Sequence, residues 1–418
     1  MINLKGITLN EKKLYFATFA LILISLRLSV AQTAYVPNTR DSTITVIDVP
    51  TNTITKIISN SITSNTVSGV CVSLDGTKVY ITKNDNIDSI GKVIVINTST
   101  NSIFAIIPIG PDLSGIAVSP DGSKVYVASI KNRTVTVIST ADNTVSATIP
   151  VGIRPGGIYL TPDGSKLYVV NNFSNNVSVI NTSTNIVATT IPVGNFPWGI
   201  CVSPDGSKVY VSSHDSIRVI NTFTNAVIAI IPVSDNPSFI TITPDGSKVY
   251  VCDVGSNSVS VIQTATNSII AKVPVGYWSY GISVSPDGSK VFVLNTNDST
   301  IMVINPNSNT VSDTIEIGGY PAALGNFISS YSQTVGVLSE DIELDNISIF
   351  PNPTSGQFTI ALSVDKSEII VTDLFGQLIL KTQTTQKKTN LQLNKNGCFI
   401  VNAKTKHGMT KRLLFVNR

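Results

Sequence analysis

The stretch Ser119-Pro120-Asp121-Gly122-Ser123-Lys124-Val125-Tyr126 decides the fold, because it recurs. Variants begin at Thr161, Ser203, Thr243 and Ser285, and a degenerate copy begins at Ser73. The Asp–Gly pairs fall at 75, 121, 163, 205, 245 and 287, a period near 42 residues. A period of that length is a four-stranded propeller blade, which cannot bury its own apolar faces and must stack against neighbours in a ring. The turn has a mechanism: Pro presets φ, Asp tolerates the next position, and Gly takes the left-handed one that closes a hairpin. The repeated Asp is therefore read as a turn residue before any catalytic role.

Working outward, each unit reads as four short strands, for example Gly115–Ser119, Lys124–Ser129, Thr134–Ser139 and Thr144–Val151. Strings such as Val135-Thr136-Val137-Ile138 alternate as strands do. The second strand of each unit carries Tyr35, Tyr80, Tyr126, Tyr168, Tyr210, Tyr250 or Phe292, which makes seven. The first unit lacks its innermost strand. The last has one to spare, since Pro321–Phe327 aligns with Pro197–Ser203. The orphan is expected to complete blade one and so remove the open sheet edge. The expected fold is all-β: a seven-bladed β-propeller over residues 32–329, then a small C-terminal β-sandwich over 348–418. The strings Val125-Tyr126-Val127, Asn176-Val177-Ser178-Val179-Ile180-Asn181 and Ala147-Thr148-Ile149-Pro150-Val151-Gly152 resemble the YVTN family of propeller repeats. That resemblance implies the fold firmly and the function weakly, because propellers host many unrelated functions.

Composition agrees. The chain is 42% hydrophobic but only 13% charged, with Ser, Thr and Asn in the gap, which suits half-buried strands and tight turns. Residues 1–31 carry a net +3 and residues 350–418 a net +7, leaving −7 on 32–349 out of the chain's +3. No basic stripe points to nucleic acid. A charged opening, an apolar run from Leu14 to Leu26 and small residues at Ser29 and Ala31 read as a signal peptide cleaved before Gln32. The run is too short to span a bilayer, and every later apolar run is interrupted by turn residues, so no transmembrane segment is expected after cleavage. Cys71, Cys201, Cys252 and Cys398 form no C-x-x-C pair, which excludes a zinc ribbon or redox motif on spacing.

Residues 330–347 are polar and then acidic and read as a linker. Beyond them, β-rich segments alternate with turn signals. Ile349-Phe350-Pro351-Asn352-Pro353-Thr354-Ser355-Gly356, Val371-Thr372-Asp373-Leu374-Phe375-Gly376-Gln377 and Asn396-Gly397-Cys398-Phe399-Ile400-Val401 resemble the C-terminal sorting domain of type IX secretion cargo. Its motif residues here are Pro351, Asn352, Pro353, Gly356, Asp373, Gly376 and Gly397; Cys398-Phe399 departs from the family's single aromatic. The resemblance implies passage across both membranes of a diderm bacterium, secretion machinery as a partner, and a secreted or cell-surface location. Asp-Ser/Thr sites at Asp41, Asp88, Asp215, Asp298 and Asp313 resemble the O-glycosylation sequon of bacteria using this route.

Catalytic groups are scarce. The propeller region has one histidine, His214, and one glutamate, Glu316. The neighbours Ser213 and Asp215 do not make a triad by adjacency. Gly156-Gly157 and Gly318-Gly319 read as turns and not as phosphate loops. Two constellations remain. Asp41, Asp85, Asp88, Asp215, Asp253 and Asp298 fall in loops after second strands, with Asp112 and Asp235 between blades. They could make an acidic rim for Ca²⁺, the one cofactor considered, or simply occupy hairpin loops. The blade-linking loops hold Phe196, Trp198, Phe239, Tyr277, Trp278, Tyr280 and Tyr320, with Arg154 nearby. Exposed on one face, these would stack on sugars or anchor a protein; alternatively Trp198 and Tyr280 plug the funnel. The leading expectation is a non-catalytic exported binding module for a polysaccharide, adhesion partner or envelope component. The alternatives are a lactonase-like or dehydrogenase-subunit enzyme in the central funnel, and a self-assembling surface-layer component.

Overall fold

The computed structural model describes residues 32–59, 66–84, 90–233, 236–329, 347–350, 357–362, 367–373, 378–394, 397–405 and 408–416. The expected signal peptide and nearly all of the linker lie outside them. The chain forms two compact units, Met1–Gln333 and Thr334–Arg418.

The first unit is a ring of seven antiparallel sheets, six of them four-stranded in consecutive order. The sheet of blade one has three strands, Thr33–Asn38, Thr43–Asp48 and Thr53–Ser59. Its missing inner strand comes from the other end of the ring: Ala34 bridges Ile328 and Asn38 bridges Pro321. The Tyr35 N–H donates to the Phe327 carbonyl at 2.9 Å. The same segment reaches both neighbours, through Ala323 N–H to the Tyr280 carbonyl at 2.8 Å and Val70 N–H to the Leu324 carbonyl at 3.3 Å. The closure expected from the repeat count is the one observed.

The repeat residues hold blade to blade. Tyr35, Tyr80, Tyr126, Tyr168, Tyr210, Tyr250 and Phe292 are each at most 2% exposed. A buried phenol needs a partner for its hydroxyl; Tyr35 finds Asn101 in the next blade's outer turn at 2.8 Å. The repeat lysine crosses the same boundary. Lys124 Nζ donates to the Thr182 carbonyl at 3.1 Å, and Lys290 closes the circle onto the Val49 carbonyl at 2.8 Å. The repeat aspartate stays local. Asp205 accepts from the Ser203 hydroxyl at 2.5 Å and from the Ser207 N–H at 3.0 Å, and these bonds hold its carboxyl below the usual range. Gly206 behind it has φ +71°, as the turn requires.

Glycine also sets the diameter of the ring. A Cβ on Gly199, at the start of blade five's inner strand, would sit 2.1 Å from the Ser238 carbonyl oxygen of blade six. In the same register, Gly69 would meet the Ser114 carbonyl at 2.4 Å and Gly115 the Gly156 carbonyl at 2.5 Å. Blade six carries Phe239 in this register, and its ring lies along the central cavity. Gly156-Gly157, read above as a turn, is instead inside the inner strand Pro155–Leu160. Close packing of adjacent blades, and not chain reversal, requires Gly157.

Cys71, Cys201 and Cys252 are buried free thiols. Among the described residues no helix is long and apolar enough to cross a membrane.

The second unit has one sheet of Ile347–Phe350, Gln357–Leu362 and Lys388–Gln392, and another of Leu378–Thr384, Ser367–Asp373, Gly397–Thr405 and Gly408–Val416. Residues from the two sheets, Phe358 and Ile360 with Ile369, Val371, Phe399 and Val401, form its core. The strand Ile347–Phe350 begins where the sequence reading still placed linker. Of the sorting motif, Pro351, Asn352, Pro353, Gly356 and Gly376 lie outside the described residues, while Asp373 and Gly397 end and begin strands.

The inner-strand contact gives a paired test. Gly199→Ala is expected to lower stability by about 1–3 kcal/mol through overpacking. Gly156→Ala, whose Cβ would find only ordinary contacts at 3.4 Å and beyond, is expected to stay within about 0.5 kcal/mol. Urea denaturation of the two variants measures the difference.

Candidate functional site

The loops that link blades lie against the loops after the second strands. The first residue past a second strand donates its N–H back to the blade-linking loop: Ile130 to Asp112, Asn172 to Arg154, Val254 to Asn236, Thr296 to Trp278 and Thr39 to Tyr320, at 2.8–3.3 Å. The acceptors Asp112, Arg154, Asn236, Trp278 and Tyr320 share a left-handed backbone, with φ of 56°, 56°, 60°, 56° and 59°. Phe196 has it too, at φ 47°, although in its loop the neighbouring Asn195 carbonyl accepts the bond, from the His214 N–H at 3.0 Å. Asp112 and Asn236 are the residue types that tolerate this region. Arg154, Phe196, Trp278 and Tyr320 are not; each is held there at a cost of about 1–2 kcal/mol. Their side chains nonetheless reach solvent: Phe196 is 54% exposed, Trp278 50% and Tyr320 37%.

The aromatic candidates separate into groups. Across blades four and five, the Arg154 guanidinium lies over Phe173 at 4.7 Å and over Trp198 at 5.6 Å. Phe173 meets Phe196 edge-on at 6.2 Å, and Phe196 lies 6.4 Å from His214. Across blades six and seven, Tyr280 sits 5.5 Å from Phe239 and 5.6 Å from Trp278. Tyr277 is exposed beside them, its N–H bonded to the Asp298 carboxylate at 2.8 Å. Tyr320 stands apart, with the Arg40 guanidinium 5.3 Å over its ring. Trp198, Phe239 and Tyr280 are half-buried at the inner strands. Phe173, a large apolar residue in an Asn/Ser-rich turn that is 53% exposed, is not among the sequence candidates.

The acidic candidates do not converge. Among the described residues no group of three or more His, Cys, Asp or Glu could hold a metal ion, and Asp85, Asp88 and Asp235 lie outside them. Asp41 accepts from the Thr43 hydroxyl at 2.7 Å, and Asp215 from the Ser216 hydroxyl at 2.8 Å. Asp253 is a correction of a different kind: it is fully buried as the last residue of a second strand, Lys248–Asp253, and not on a rim. Its Oδ2 accepts from Ser260 at 2.6 Å, in the register where Asn38 and Asn171 bond across their own hairpins. No triad forms either, because the buried Ser213 donates its hydroxyl to the Val193 carbonyl. Of the Asp-Ser pairs, Ser216 is only 2% exposed.

The inner strands enclose a central cavity of about 510 Å³ lined by side chains such as Ile116, Val118, Ile158, Leu160 and Val202. Its lining contains no carboxylate, amine, guanidinium or imidazole. Its ionisable groups are Cys71, whose thiol burial pushes up, and Tyr159, pushed up to about 12 by burial.

Residues 348–417 match the family described as the secretion system C-terminal sorting domain. This tail belongs to the type IX route, so the chain is a secreted or cell-surface bacterial protein that carries a propeller. No curated protein matches by sequence. Among solved structures, the fold is similar to hydrazine synthase of Kuenenia stuttgartiensis (18% identity, TM-score 0.56, covering 67% of this chain and 97% of that one). It is also similar to a functionally unknown protein from Desulfotomaculum acetoxidans (18%, 0.60, 70% and 99%). A third is the dihydro-heme d1 dehydrogenase NirN (14%, 0.54, 85% and 74%). At these identities the likeness is one of fold, and YVTN-type repeats are compatible with it.

The strained positions make a prediction. Trp278→Asn puts a left-handed-tolerant residue where Asn236 already stands in blade six. It is expected to raise stability by about 0.5–1 kcal/mol, read as a higher thermal midpoint; a fall would show that the ring is needed for packing.

Proposed function

We propose that this chain is an exported recognition protein: the tail hands it to the secretion machinery, and the propeller's loop face holds a polysaccharide or an envelope or adhesion partner outside the outer membrane. The observation that carries the reading is the left-handed backbone at Phe196, Trp278 and Tyr320, each a large aromatic kept partly exposed on one face. Strain at a position where two sibling blades use Asp or Asn is retained against a cheaper alternative, and such outliers concentrate at binding sites. A rigid ring of blades is the scaffold that loop recognition requires. The funnel-enzyme alternative draws less support, because an apolar cavity without a carboxylate or imidazole offers no general acid–base pair near neutral pH.

The test is the full chain against a panel of polysaccharides by calorimetry, beside the double variant Phe196→Asn/Trp278→Asn. At least one polysaccharide is expected to bind, and the variant to lose about 10-fold or more of that affinity while remaining folded. Retained affinity would move the function off this face.

A further inference from the structure

Within that face, Arg154 is built unlike its counterparts. Its guanidinium is clamped between the rings of Phe173 at 4.7 Å and Trp198 at 5.6 Å. Cation–π stacking occupies the faces of a guanidinium and leaves free the edge that carries its N–H groups. Among the described residues no acceptor meets that edge: no carboxylate pairs with it, and its recorded side-chain contacts are the two rings. A guanidinium set against two rings, with no carboxylate partner among the described residues, matches a carboxylate ligand, which takes two parallel N–H bonds.

The surroundings extend this. In the adjacent blade three, the loop after the second strand carries Lys131 and Arg133, both exposed. The Arg133 carbonyl accepts from the Val151 N–H at 2.9 Å, at the start of the loop that holds Arg154. Lys131, Arg133 and Arg154 thus stand on neighbouring, hydrogen-bonded loops of a region whose net charge is −7, with Asp112 beside them, its carbonyl accepting from the Ile130 N–H at 2.8 Å. Long-range attraction for polyanions is therefore weak, and recognition rests on this corner. Beside it, Phe196 presents a further exposed ring 6.2 Å from Phe173.

We propose that this corner binds a carboxylate-bearing polysaccharide, with Arg154 forked onto a uronate carboxylate while Phe173, Phe196 and Trp198 flank the sugar ring. This rests on the recognition reading above and names its ligand class. A sugar is favoured over an acidic peptide because a rigid ring loses little freedom on stacking. An extended peptide would gain from pairing along a strand edge, whereas Phe173, Phe196 and Trp198 lie in loops and turns outside the strands.

The experiment titrates the full chain with sodium polygalacturonate, its fully methyl-esterified form and poly-glutamate, for the wild type, Arg154→Lys and Arg154→Asn. Asn suits the left-handed backbone here, as at Asn236, so this variant is expected to fold, and its melting curve checks that. Polygalacturonate is expected to bind, with about 10- to 100-fold weaker binding in both variants. The esterified polymer is expected to bind weakly and equally to all three proteins. Equal affinity for both polymers, unmoved by the variants, would overturn the carboxylate assignment and leave the recognition reading standing. Poly-glutamate binding as tight as polygalacturonate would overturn the sugar. Binding of neither polymer to the wild type, with some other polysaccharide bound in the panel, would overturn this inference alone; an empty panel would overturn both.

Discussion

Adjacent inner strands meet backbone to backbone, and the rest of the propeller depends on that contact. Where Gly199 faces the Ser238 carbonyl there is no room for a methyl group, so the blades pack as tightly at the axis as their main chains allow. Set by that spacing, the buried second-strand ring fills each interblade layer, and Lys124, Lys166, Lys248 and Lys290 reach the neighbouring blade's turn. The ring then closes on itself, because the last segment bonds to blade one, blade two and blade seven together. Seven nearly equal units share one geometric solution, which is why the repeat is strict in the turns and second strands.

A ring over-determined in this way can hold local strain. The blade-linking loops at Asp112, Arg154, Asn195, Asn236, Trp278 and Tyr320 each accept an N–H from a following hairpin. The loop's backbone state is therefore dictated by the scaffold and not by the residue that occupies it. Asp112 and Asn236 show the unstrained choice; Arg154, Phe196, Trp278 and Tyr320 show departures from it on the same face. Deviation from the repeat marks the proposed recognition face, and conformity to it carries the fold.

The fold was legible because its determinants are local and repeated. The turn chemistry, the seven second-strand aromatics and the surplus segment at 321–327 each follow from residue type at fixed spacing. The tail was legible from ordered motifs. The site was legible only in part. Arg154, Phe196 and Trp198 do come together, but Phe173 sits in a hairpin loop within blade four and carries no signal of its kinship with the loops between blades. Asp253 was displaced onto a rim because a strand's last residue and a loop's first look alike until the partner strand is known. Gly157 was taken for a turn, since a glycine serving close approach between blades has the same sequence signature as one serving a reversal. The shared left-handed position escaped notice, although aligning the blades on their inner strands puts Asp112 and Asn236 in register with the aromatics.

The chain has two tryptophans, and both Trp198 and Trp278 lie on the loop face. Their emission is a direct probe of the central claim that this face is the recognition surface. Titrating the full chain with sodium polygalacturonate is predicted to shift tryptophan emission saturably, with the midpoint that calorimetry gives for binding. Binding detected by calorimetry with unchanged emission would place the ligand elsewhere on the molecule and contradict the account.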